Sequence, residues 1–301
     1  MEKFLLIDSH SLLYRAYYAF PFLSSIKNEK DNANAVYGFF LMLIKALKRI
    51  NPDFAAAAFD SAGPTFRHKE YKEYKAKRAP CPKDLSCQIE EAKRILNKLK
   101  IPFFEKKGYE ADDIIGTITS LIRSASFNKR TELEVIILSS DLDLLQLVEE
   151  KVKLWTLKPD KFYDLRAVEE RYGLKPCQLL DFRGLKGDPS DNIPGIPGIG
   201  EKTATALLKA AGSLEKLYSS IEKGESVPAS PKIIEKLKKH KNQAFLFKEI
   251  SRIEKDVAVD FNLEECWLRE ENKRIWPWVF QEEGFFSLSA EIKKQQTLGL
   301  A

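Results

Sequence analysis

The chain has 301 residues, 44% hydrophobic and 31% charged, ordinary for a globular protein and enough for one large domain or two modest ones. No apolar run approaches the roughly 20 residues of a membrane span. Met1-Glu2-Lys3-Phe4-Leu5-Leu6-Ile7-Asp8 meets a carboxylate too early for a signal-peptide core and reads as the first strand of a cytoplasmic protein. Four scattered cysteines (Cys81, Cys87, Cys177, Cys266) and three scattered histidines (His10, His68, His240) argue against zinc and for reduced thiols.

In chain order, the apolar run Phe4 to Ile7 ends in Asp8 and predicts a buried strand. Helical spacing follows over Val36 to Ile50. Phe54 to Phe59 predicts a second strand, ending in Asp60. Ile89 to Leu99 and Asp112 to Ile122 have helical periodicity, and Val135 to Leu138 predicts a strand running into Ser139-Ser140-Asp141. Val152 to Trp155 adds another strand. Strands alternating with helices of this length imply βαβ units, hence an α/β fold with a mostly parallel central sheet flanked by helices. This α/β domain is expected over 1–173.

After residue 173 the pattern becomes helical: Pro176 to Phe182, Lys202 to Ala211, Leu214 to Ile221, Pro231 to Lys239 and Asn242 to Ile250. A smaller helical domain is expected over 174–301. The glycine-rich stretch Gly195-Ile196-Pro197-Gly198-Ile199-Gly200 interrupts it, and the apolar segment Ile275 to Phe280 is expected to dock on the rest.

Ligands of open α/β sheets bind at the carboxyl ends of the strands. The predicted strands deliver Asp8, Asp60, Asp141 and Asp143 to that rim, and Glu110-Ala111-Asp112-Asp113 opens a helix. One Asp after a strand is usually a turn or cap residue, and acids at a helix start also suit its dipole. Convergence changes the weighting, because crowded carboxylates raise one another's pKa unless cations neutralise them. Oxygen donors without His or Cys favour Mg²⁺ or Mn²⁺, and two such ions are a known way to cut a phosphodiester. A further acidic group, Gly187-Asp188-Pro189-Ser190-Asp191-Asn192, reads by itself as a turn.

Between Arg67 and Lys83 lie seven basic residues: Arg67, Lys69, Lys72, Lys75, Lys77, Arg78 and Lys83. Tyr71 and Tyr74 are interleaved with them. A charge run is usually a solvated helix face; its position just after Asp60 favours a phosphate-gripping element whose tyrosines stack on bases. Gly195 to Thr203 is not a P-loop, since Glu201 intrudes before Lys202-Thr203 and no strand precedes it. A glycine hairpin opening a helix can instead offer N–H groups to a nucleic-acid phosphate, with Lys202 assisting.

Taken together these segments resemble the 5′ nuclease (flap endonuclease-like, PIN-like) family, in particular the 5′→3′ exonuclease region of bacterial DNA polymerase I. The resemblance rests on Leu6-Ile7-Asp8, Leu13 to Tyr17, Ala35 to Phe39, Phe59-Asp60, Thr65-Phe66-Arg67, Tyr74 to Pro80, Glu110 to Asp113, Asp141-Leu142-Asp143, Gly187 to Gly195 and Gly200 to Ala204, all in order. It implies that Asp8, Asp60, Glu110, Asp112, Asp113, Asp141, Asp143, Asp188 and Asp191 share two or more divalent ions. It also implies that Lys75 and Arg78 belong to a basic arch at the scissile phosphate, with Tyr74 and Arg67 on the DNA. Gly195, Gly198, Gly200, Lys202 and Thr203 match a helix-hairpin motif that holds duplex DNA, often with K⁺. The implied substrate is branched, nicked or 5′-flapped DNA, cut for primer removal and repair in a bacterial cytoplasm by a monomer.

A rim of acids also serves ribonucleases, but the helical half with its hairpin suits duplex DNA better. Leu142 stands where the family commonly has Lys, and Asn28 to Asn32 lack a glycine often found there. The chain reaches Ala301 without a polymerase region, which leaves open a free-standing nuclease with a polymerase in trans or a piece of a longer protein. With nine acids committed to metal, 35 remain against 49 Lys and Arg, a surplus of about +14 where the formal net charge is +5; such a surface suits a polyanion.

Overall fold

The computed structural model describes residues 1–24, 32–124 and 133–297; of the segment Asn28 to Asn32, only Asn32 falls among them. Six strands form one sheet: β1 (Lys3–Asp8), β2 (Phe54–Ala58), β3 (Phe103–Phe104), β4 (Glu134–Leu138), β5 (Val152–Leu157) and β6 (Asp160–Tyr163). Their order is β3-β2-β1-β4-β5-β6, parallel throughout except for the antiparallel β5–β6 pair. The predicted strands are present. β3 and β6 are not in the sequence reading, being two and four residues long.

Both faces of the sheet are covered, so the central strands are continuous apolar runs rather than alternating ones. Successive side chains still point to opposite faces. Phe4, Leu6, Ala56, Val135 and Ile137 meet Ile114, Ile115 and Ile118 of α5 (Ala111–Arg123). Leu5, Ile7, Ala55, Ala57 and Leu138 meet the other layer, built from α1 (Ser9–Ala19), α2 (Asn34–Ile50) and α4 (Lys83–Lys98). Alanine is a weak strand former, yet Phe54–Ala58 is mostly alanine and fully buried, because packing on both faces decides the matter.

The remaining helices are α3 (Phe66–Glu70), α6 (Leu165–Tyr172), α7 (Leu179–Lys186), α8 (Glu201–Ala211), α9 (Leu214–Lys223), α10 (Pro231–Lys239), α11 (Lys241–Ile250), α12 (Glu270–Glu282) and α13 (Phe286–Thr297). Leu185, Leu207, Leu217 and Leu237 from α7 to α10 join the same apolar interior as the α5 face of the sheet, so the core crosses residue 173 without a break. The helical region does not extend to the C-terminus as one layer. Trp276, Phe280, Leu288 and Ile292 of α12 and α13 return to the α2–α4 side, where Trp276 Nε1 donates to the Leu99 carbonyl at 2.9 Å. Within the expected span 174–301, the apolar face of this tail is thus satisfied by the α/β layer.

The basic stretch 67–83 is not one solvated helix. Only Phe66–Glu70 is helical; turns follow, and Lys83 already starts α4. Lys75 has a left-handed backbone (φ 54°) that interrupts any helix there, and Pro80 and Pro82 prevent one from resuming. Among the described residues no helix is long and apolar enough to cross a membrane.

Candidate metal-dependent active site

Strand register explains why three acids meet. β1 lies between β2 and β4, with Asp8 opposite Ala58 and Ile7 opposite Leu138. Asp60 follows β2 by two residues and Asp141 follows β4 by three, so all three carboxylates project from adjacent strand ends. The strand order reverses between β1 and β4, the switch point where such sheets open a crevice. Asp8 also caps α1, accepting from the Ser11 N–H at 3.0 Å and from the Ser139 hydroxyl.

The N-terminus of α5 supplies the fourth group. Glu110 is its cap residue, and the Asp60 carboxylate accepts from the Ala111 N–H at 2.7 Å, tying this helix end to β2. Asp112 faces the crevice. Burial and the neighbouring charges of Asp141, Asp8 and Asp143 hold its carboxyl well above the usual range. Burial also raises Asp8 to about 6, with Asp60 adding to the rise and the Ser139 and Ser11 donors opposing it.

The nine predicted acids divide by countercharge. Five have a basic partner: Glu110 with Lys75 at 2.8 Å, Asp113 with Arg67 at 2.7 Å, Asp191 with Arg78 at 2.6 Å, and Asp143 and Asp188 with Arg183. Asp8, Asp60, Asp112 and Asp141 form no ion pair with Lys or Arg among the described residues; His10 lies 3.5 Å from Asp60. Four adjacent carboxylates with little countercharge, all oxygen donors, fit a hard divalent cation. As they stand, no three such side chains among the described residues are close enough together to hold an ion. The fit rests on donor chemistry and unbalanced charge.

Asp113 does not join that group. It is wholly buried, and its oxygens accept from both Arg67 terminal nitrogens and from the N–H groups of Glu110 and Glu254. Its role is a clamp between α3, α5 and the segment after α11. Arg67, expected on the DNA, is 3% exposed and donates further to the carbonyls of Ile250 and Arg252. Tyr74 is likewise only 3% exposed, its hydroxyl donating to Glu110 at 3.0 Å, so it offers no face to a base.

Lys75 and Arg78 do line the crevice, a cleft of about 580 Å³ bounded also by Asp8, Asp60, Asp112 and Asp141. The expectation overlooks His10, Tyr14 and Tyr18, which line it from α1. Their four-residue spacing puts them on one helix face, a signal available in the sequence once Asp8 is placed at the strand end. Tyr18 is 72% exposed and free to stack. Arg183, the partner of Asp143 and Asp188, gives no such local signal.

The hairpin residues also separate. Gly195 (φ 66°) is buried where two backbones cross; a Cβ there would come within 2.3 Å of the Lys186 carbonyl. It makes the turn rather than touching a ligand. Gly198 and Gly200 are exposed, Gly200 caps α8, and Lys202 is exposed with Thr203 half-buried beside it. Ile196 and Ile199 anchor the loop in the core.

Residues 3–173 match the 5'-3' exonuclease N-terminal resolvase-like domain, and residues 174–274 match the 5'-3' exonuclease C-terminal SAM fold. DNA polymerase I of Bacillus caldotenax is 40% identical over 298 residues, covering 97% of this chain and 32% of its own length. DNA polymerase I of Chloroflexus aurantiacus is 41% identical, covering 96% of this chain and 30% of its own length. The chain thus spans about a third of these relatives. Among solved structures, the T5 D15 protein co-crystallised with metal ions shares the fold with a TM-score of 0.68 at 18% identity, covering 97% of this chain and 99% of that one. The catalytic core of Rad2 in complex with DNA substrate shares it with a TM-score of 0.60 at 15% identity, covering 97% and 91%. With an acidic rim on a parallel sheet and both domain matches running in succession, this chain belongs to the 5'-3' exonuclease family.

Proposed function

We propose that this chain hydrolyses phosphodiester bonds near the 5′ ends of branched, nicked or flapped DNA, with Mg²⁺ or Mn²⁺ as cofactor. The observation that carries the reading is the group Asp8, Asp60, Asp112 and Asp141, set at three strand ends and a helix N-terminus with no Lys or Arg paired to it among the described residues. Divalent ions held by these acids, with Glu110, Asp143, Asp188 and Asp191 around them, would activate water and stabilise the attacking and leaving oxygens.

The remaining work falls to the chain's own residues. Lys75 and Arg78 border the cleft and would transfer from Glu110 and Asp191 to an incoming phosphate, stabilising its transition-state charge. Tyr14 and Tyr18 flank the same cleft and would stack on a terminal base, the part first assigned to Tyr74. Gly198, Gly200, Lys202 and Thr203 would hold the duplex by its backbone, with K⁺ on the hairpin, and read no base. We place this activity in a bacterial cytoplasm, carried out by a monomer in primer removal and repair; the similarity to DNA polymerase I chains supports a polymerase working with it, attached or in trans.

The test is cleavage of a 5′-labelled flap duplex in Mg²⁺, beside an EDTA control, the Asp112→Asn variant and a structured RNA. Products near the branch from wild type with metal alone are expected, with DNA binding retained by the variant. Cutting of the RNA with the flap untouched would move the substrate to RNA, and no product in Mg²⁺ or Mn²⁺ would reduce the chain to a DNA-binding module.

A further inference from the structure

Arg183 has no part in the mechanism above, yet it occupies a prominent place beside the acids. Its guanidinium engages both oxygens of Asp143 and lies 3.7 Å from Asp188. All three side chains are shielded, at 14% exposure for Arg183, 22% for Asp143 and 18% for Asp188. Local structure holds each in position. α7 ends at Gly187, whose N–H donates to the Arg183 carbonyl at 2.7 Å and whose left-handed backbone (φ 79°) turns the chain to Asp188. A Cβ at Gly187 would come within 2.4 Å of Gly195 N and the Ile193 carbonyl, so this turn is tightly closed. Asp188 Oδ1 accepts from the N–H and hydroxyl of Ser190, leaving Oδ2 toward Arg183. The Asp143 N–H donates to Asp141 at 2.8 Å, linking this pair to the group without basic partners.

We infer that Arg183 is a resident counter-ion for the Asp143–Asp188 pair, so that the DNA-free chain binds one divalent ion firmly at Asp8, Asp60, Asp112 and Asp141 and a second only as the guanidinium gives way. The inference rests on the metal-dependent reading proposed above. A fixed positive charge against two half-buried carboxylates repels a further cation and occupies the oxygens that would ligate it. The planar fork of arginine matches phosphate as well as carboxylate. A DNA phosphate at the rim therefore gives the displaced guanidinium another partner, and DNA and the second ion bind with positive coupling.

The experiment is calorimetric titration of the full chain with Mn²⁺ at neutral pH, using wild type, Arg183→Met, Arg183→Gln and Asp112→Asn. Wild type is expected to show one tight event and a weak second one. Both Arg183 variants should tighten the second event by about tenfold or more, and a saturating product duplex should tighten it in wild type. Gln keeps a hydrogen-bond donor for Asp143, so it reports on charge even where Met disturbs folding. Wild-type affinities and stoichiometry in both Arg183 variants, with the tight event lost in Asp112→Asn, would overturn the inference and leave the nuclease reading standing. A tight event that persists in Asp112→Asn would overturn the metal reading itself.

Discussion

Asp8→Asn should stabilise the metal-free protein while abolishing its cleavage. Asp8 is 3% exposed, and burial lifts its carboxyl from 3.8 to about 6. The folded state therefore keeps this proton up to about pH 6, whereas the unfolded chain releases it near 3.8. Between those values the folded state binds more protons, so stability falls as pH rises. The difference corresponds to at most about 3 kcal/mol at neutral pH. Asn retains an oxygen for the Ser11 N–H but gives up charge-assisted hydrogen bonds, which reduces the expected gain to about 2 kcal/mol, roughly 3 °C in Tm for a chain of this length. The assay is thermal unfolding of both proteins in EDTA from pH 4 to 7.5. The variant's advantage should be absent near pH 4, grow to pH 6 and then level off. Added Mn²⁺ at pH 7.5 should favour wild type and narrow or reverse the gap. A difference independent of pH, or a variant less stable than wild type in EDTA at pH 7.5, would refute the reasoning.

Two further outcomes follow from the ion pairs. Arg67→Met strands the buried Asp113 carboxylate and should cost about 3–5 kcal/mol in denaturant unfolding, while the Kd of the folded fraction for flap DNA stays at the wild-type value; weakened binding without a stability loss would restore Arg67 to the DNA. Lys75→Ala and Arg78→Ala should each lower the single-turnover cleavage rate by about 10²–10³-fold with a much smaller change in Kd, and rates within twofold of wild type would remove them from the chemistry.

The acidic rim was legible because β1, β2 and β4, the strands that carry it, are buried on both faces. Phe4 to Ile7, Phe54 to Phe59 and Val135 to Leu138 therefore stand out as apolar runs, and the polar residue ending each run marks the carboxyl end of a strand. The short β3 and β6 leave too few residues for any periodicity to show.

Tertiary structure alone decided which acids keep their charge unpaired. Arg67 and Asp113, Arg78 and Asp191, and Arg183 and Asp143 are far apart in sequence, and no spacing rule links them. The same holds for Tyr74, which follows the exposed Lys72 and Glu73 while its own ring is buried under Glu110 and His68. Composition and periodicity determine which elements form and where acids leave them. Whether a given acid is free for a metal or held by a cation depends on through-space distance and burial, and those exist only once the sheet, α5 and α7 have packed together.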